Sequence, residues 1–110
     1  MAFDEGLAER LREVFRGKRG VIEKRMFGGV AFMVRGYMAV GIVGDALMAR
    51  VGPDEYDQLL QMEHVRPMDF TGRPMKNIVY VDPPGLVADE ALRKWVRQAV
   101  AFTSSLPAKD

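Results

Sequence analysis

The side chains with most to offer chemically lie in one stretch, Arg66-Pro67-Met68-Asp69-Phe70-Thr71-Gly72-Arg73-Pro74-Met75-Lys76. Arg66, Arg73 and Lys76 place three bases in a short, turn-rich segment. Such a cluster near exposed backbone amides binds carboxylate or phosphate through bidentate contacts. Arg50 joins it if its strand lies alongside. Met68, Phe70 and Met75 supply an apolar floor in that reading; in the plainer one they pin the segment to the core while the bases stay solvated. A second candidate is Phe27-Gly28-Gly29, expected close to that basic segment at the sheet edge, where glycine lets a backbone approach a phosphate. It has neither phosphate-loop spacing and no helix follows it, so a tight turn needing positive φ explains it as well.

Other residues point away from catalysis. His64, the single histidine, sits beside Glu63 with no nucleophile in context, and reads as a loop anchor. The pairs Asp4-Glu5, Asp54-Glu55 and Asp89-Glu90 all fall at expected helix starts, where capping and the helix dipole account for them. Cysteine is absent, which excludes disulfides, a thiol nucleophile and thiolate-bound metal. No catalytic residue, cofactor or metal is expected.

The elements that must position these groups follow from periodicity. Leu7, Leu11, Val14 and Phe15 recur at helical spacing, with Asp4 as N-cap and Gly17 and Gly20 beyond the end. Val21 to Met26, Val30 to Val34, Met38 to Val43 and Ala46 to Val51 read as strands. Arg35-Gly36 and Gly44-Asp45 are tight hairpin turns, the second suited to type II′. Pro53 starts a short helix carrying Tyr56, Leu59 and Leu60. Residues 63 to 76 read as an ordered loop, Asn77 to Val81 as another strand. Asp89 caps a last helix with Leu92, Trp95, Val96, Ala99, Val100 and Phe102, and residues 104 to 110 read as a frayed tail. Trp95 is a core anchor in this scheme, and Met33, Met38 and Met48 fill core positions within strands.

The expected fold is one α+β domain over residues 1 to 110, ordered from about 3 to 103. It is a two-layer sandwich in which an antiparallel sheet carries helices on one face. Because many strands are apolar on both sides, the other face is expected to be open, which predicts a homodimer. Net charge is +1, from 16 Lys+Arg against 15 Asp+Glu; any polyanion would need a local patch such as Lys24, Arg25 and Arg50 with the basic loop. No apolar run approaches the roughly 20 residues of a membrane span, and the N-terminus lacks a secretory pattern, so a cytoplasmic protein is expected.

Several strings, taken in order, carry a resemblance: Lys24-Arg25-Met26-Phe27-Gly28-Gly29, Ala31-Phe32-Met33, Leu47-Met48-Ala49-Arg50-Val51-Gly52, the 66 to 76 segment, and Tyr80-Val81-Asp82-Pro83. Over about residues 3 to 103 the chain resembles the N-terminal domain of the TfoX/Sxy competence regulators of bacteria. The resemblance implies a secretion-chaperone-like sandwich and a regulatory role through a protein partner, such as the transcription machinery. Full-length members promote competence (DNA transformation) gene expression with a cyclic-AMP-responsive activator and carry a second, C-terminal domain; this sequence ends before one, which implies a free-standing copy. Direct nucleic-acid binding, or an anionic small ligand held by residues 66 to 76, are the alternatives.

Overall fold

The computed structural model describes residues 3–26, 28–68 and 77–107. The first helix, α1 (Glu5–Phe15), begins where Asp4 Oδ1 accepts the Leu7 N–H at 3.2 Å, satisfying one of the orphan amides of a helix start. Its buried stripe is Leu7, Ala8, Leu11 and Phe15. Four strands follow: β1 (Val21–Met26), β2 (Gly29–Val34), β3 (Tyr37–Val43) and β4 (Ala46–Arg50). Turn chemistry joins them. Arg35 (φ 55) and Gly36 (φ 88) are both left-handed, as a type I′ turn requires, and Gly44 (φ 60) leads the β3–β4 turn.

Then come α2 (Pro53–Leu59), β5 (Val65–Pro67), β6 (Ile78–Val81), a 3-10 turn (Pro83–Leu86) and α3 (Asp89–Ser104). All neighbouring strands are antiparallel, in the order β1-β2-β3-β4-β6-β5. The fold is therefore the expected α+β arrangement of an antiparallel sheet with helices packed on it. Phe32 pairs with Val40 but Met33 with Met38, so Ala39 is an extra residue in β3. The bulge turns both Ala39 and Val40 toward the helices.

The main core lies between sheet and helices. Val30, Phe32, Val40, Ile42, Leu47, Ala49, Val79 and Val81 face Leu7, Leu11, Phe15, Leu92, Trp95, Val96 and Ala99. Phe15 stacks on Phe32 with ring centroids 5.3 Å apart.

The structure departs from four sequence-based expectations. The second sheet face is not open: Ala31, Met38, Ala46, Met48, Met68, Ile78 and Tyr80 are buried there within the single chain, with Met26, Met33 and Val43 packed against them. Unbranched methionines lie flat on a sheet where Gly41 has no Cβ; one built there would stand 3.0 Å from Met48 Cε and from Val30 O. Residues 65–67 form an edge strand, not loop, because their pairing is imposed by β6 rather than by any apolar alternation of their own. Ala88, not Asp89, is the N-cap of α3, and Asp89 instead pairs with Arg10 at 3.1 Å. Residues 104–107 are not frayed: the Arg35 guanidinium donates to Ser104 O and the Tyr37 hydroxyl to Pro107 O, each at 2.6 Å.

Candidate protein-binding groove

The structure separates the residues that the sequence grouped. Arg73, Lys76 and Phe27 lie outside the described residues. Gly28 takes φ +76 in the β1–β2 turn and Gly29 opens β2 opposite Met26, as the tight-turn reading requires. Arg66 is on β5, at the far edge of the sheet. Four interstrand steps separate β2 from β5, roughly 19 Å at about 4.8 Å each, so Arg66 is not beside the glycine turn.

Arg66 is also engaged locally. Its Nε lies 2.9 and 3.0 Å from the two Asp82 carboxylate oxygens, and its guanidinium sits 4.6 Å from the Tyr80 ring centroid. Register explains the arrangement, since Arg66 and Tyr80 are direct cross-strand partners. Arg50 does not lie beside Arg66, because β6 runs between β4 and β5. It is half-buried at the end of β4, its Nε donating to Met38 O at 2.7 Å. Burial pushes its pKa down, and the nearby Tyr37 opposes that. Lys24 and Arg25 alternate to opposite faces of β1; Arg25 stands 5.3 Å from the Phe3 ring centroid.

His64 anchors the loop as expected. It is exposed, takes φ 69, and its carbonyl accepts the Asp82 N–H at 2.8 Å. Asp54 and Glu55 lie in the first turn of α2, and Asp89 and Glu90 in that of α3.

One mostly apolar cleft has no counterpart in the sequence reading. A cleft of about 280 Å³ runs between α2, β5 and α3, lined by Leu59, Met62, Val65, Val81, Trp95 and Gln98, with Glu63 and Lys94 at its lips. Gly85 lines one end, and a Cβ there would stand 3.2 Å from His64 Cβ. The walls are mostly apolar, and Met62 is 47% exposed beside them. Trp95 is the buried anchor expected of it, at 6% exposure, yet its surface also lines this cleft. The available signal was Met62 itself: an apolar residue past the end of a helix too short to bury Leu59, Leu60 and Met62 together. A second hollow, of about 270 Å³, is lined by Asp4, Leu7, Arg10, Asp45 and Pro83. Two of its polar groups are committed, Asp4 to the α1 cap and Arg10 to Leu86 O and Asp89.

Residues 13–103 match the family model of the TfoX N-terminal domain. The chain belongs to that family. No curated protein and no solved structure matches it. Within this TfoX N-terminal domain the described residues of the strings that carried the resemblance are largely scaffold. Phe32, Leu47, Ala49 and Val51 are core, and Tyr80 and Asp82 hold Arg66. Leu59, Met62 and Trp95 of the groove fall outside them. No helix among the described residues is long and apolar enough to cross a membrane.

Proposed function

We propose that this domain is a non-enzymatic regulatory module that serves competence gene expression by protein–protein contact, receiving its partner in the α2–β5–α3 groove. Membership of the TfoX N-terminal family supports the regulatory role. The observation that carries the site is the pairing of a mostly apolar cleft with an exposed Met62 at its mouth. Such a cleft takes a large apolar side chain from an amphipathic segment. Lys94 at the α3 lip forms no ion pair among the described residues, whereas its neighbours Arg93 and Arg97 share Glu90. The fitting occupant is therefore an apolar anchor flanked by a carboxylate.

Trp95 is the sole tryptophan, so its emission reports the groove directly. Peptides selected from a random library against the wild-type domain should pair a bulky apolar residue with acidic neighbours and shift Trp95 emission on binding. Met62→Glu should weaken them at least tenfold, about 1.4 kcal/mol or more, with an unchanged melting temperature. Selected peptides that leave Trp95 emission unmoved and bind Met62→Glu as well as wild type would refute the groove. A competence-gene reporter that is indifferent to deletion of the protein would refute the regulatory role.

A further inference from the structure

The two edges of the sheet are finished differently. Asp82 N–H donates to His64 O, so within β5 it is His64 and Arg66 that face β6, while Val65 and Pro67 lie on the outer rim. Val65 N–H is taken by Met62 O at 3.3 Å, and Pro67 has no N–H. That edge is closed to further pairing, in the manner of protected natural edges.

At β1 the opposite holds. Met26 and Gly29 close a two-residue hairpin, the position at which a tight hairpin exchanges both hydrogen bonds. Counting back in twos, Lys24 and Ile22 face β2, and Val21, Glu23 and Arg25 turn their N–H and C=O groups outward. None of these three has another backbone partner among the described residues. Ile22, 63% exposed, is one of three large apolar side chains left in water among the described residues, and the one that lies in a strand.

We propose that β1 pairs with β1 of a second copy of this chain, antiparallel about a two-fold axis through Lys24. A two-fold perpendicular to the sheet keeps both helical layers on the same side and sets outward-facing residues opposite each other. Centred on Lys24, it pairs Glu23 with the partner's Arg25 and Ile22 with the partner's Met26, each twice. The outward amides of Glu23 and Arg25 then complete the ladder between the copies. Centred on Glu23, the same operation sets like carboxylates together and Ile22 against the partner's Lys24. Centred on Arg25, it sets like guanidinium groups together. Only the Lys24 axis matches both charge and apolar surface, at the cost of one like-charge pair between flexible lysines. Glu23 already accepts from Arg12 at 2.6 and 2.8 Å, so the carboxylate is held in place for a second guanidinium. This interface is separate from the groove, and it replaces the open-face argument for a dimer with a sheet-edge one.

Sedimentation velocity on the full chain tests it. Wild type should show a concentration-dependent monomer–dimer equilibrium. Glu23→Arg and Arg25→Glu should each weaken it at least tenfold, because each sets like charges opposite. Mixed one to one, the two variants should recover wild-type association, since the heterodimer restores both Arg–Glu pairs. In the wild-type dimer the Glu23 and Arg25 amides should become protected from hydrogen exchange. A wild type that stays monomeric at the highest soluble concentration overturns the proposal. So does a mixture that associates no better than its components, or a dimer whose Glu23 and Arg25 amides still exchange freely.

Discussion

Gly52 decides how α2, and with it one wall of the groove, sits on the sheet. It is the residue before Pro53, with φ 84 and ψ 151, a region essentially reserved for glycine. Holding an L-residue there costs about 1–3 kcal/mol. A Cβ would also lie 2.7 Å from Cδ1 and Cε1 of Phe102 on α3. Forcing such an overlap costs a further ~1–3 kcal/mol, toward the low end because Phe102 is half-buried and can swing. Gly52→Ala should therefore lose about 2–4 kcal/mol of the roughly 5–15 kcal/mol that a domain of this kind possesses. Gly44→Ala separates the two contributions. Gly44 also has positive φ, at 60, but open space where a Cβ would be, so its cost should be backbone alone, about 1–2 kcal/mol. Urea denaturation with unchanged m-values measures both. In a Phe102→Ala background, Gly52→Ala should cost about 1 kcal/mol less than in wild type. The reasoning fails if Gly52→Ala costs no more than Gly44→Ala, or costs the same in both backgrounds.

Arg66→Ala should lose about 1–2 kcal/mol, the sum of an exposed ion pair and a cation–π contact. Asp82→Asn should lose only the smaller, salt-sensitive share, and denaturation at low and high salt distinguishes the two. Glu23 carries a pH signature. The hydrogen bond from Arg12 holds its carboxyl below the usual value in the folded state, with the Arg12 and Arg25 charges adding to the effect against burial. The unfolded chain then binds the proton first as pH falls. The stabilisation is present above the unfolded carboxylate range, near pH 4 and up, and is lost as pH drops through the lower folded value. Because the pair is partly exposed, the loss should be about 0.5–1 kcal/mol, and Glu23→Gln should flatten that part of the acid stability profile.

The β-meander was legible because its signals are local. Each two-residue turn sits between runs that a pleated sheet wants, so β1 to β4 appear within a residue of their expected ends. What escaped was non-local. β5 has three residues and one apolar side chain, so nothing in Val65-Arg66-Pro67 announces a strand until β6 is beside it. The order β4-β6-β5 parts Arg50 from Arg66, and no spacing along the chain encodes that insertion. The groove arises where α2, β5 and α3 meet, from residues far apart in sequence, and Trp95 could be read as core without its second role at the cleft. The alternation of faces is legible in the sequence, but apolar residues on both sides of a sheet do not by themselves mean an open surface. They mark a second buried layer.

Arg50 shows how the two layers constrain each other. Along β4 the side chains alternate, Leu47, Ala49 and then Val51 toward the helices, Ala46 and Met48 toward the methionine layer. Arg50 belongs by parity to the methionine side, where Met38 O receives its Nε. A one-residue slip of β4 would turn every one of these residues over. Two apolar layers would tolerate that exchange better than most sheets, because both accept Leu, Ala and Met. Arg50 would not: the slip would carry a guanidinium under α3, into a layer whose buried members among the described residues are all apolar except Thr103. Burying an unpaired charge there costs several kcal/mol, far more than any apolar mismatch in the exchange. The residue that the sequence offered as part of an anion site thus has a structural task at its observed position. It makes the register of a sheet that is apolar on both faces unambiguous.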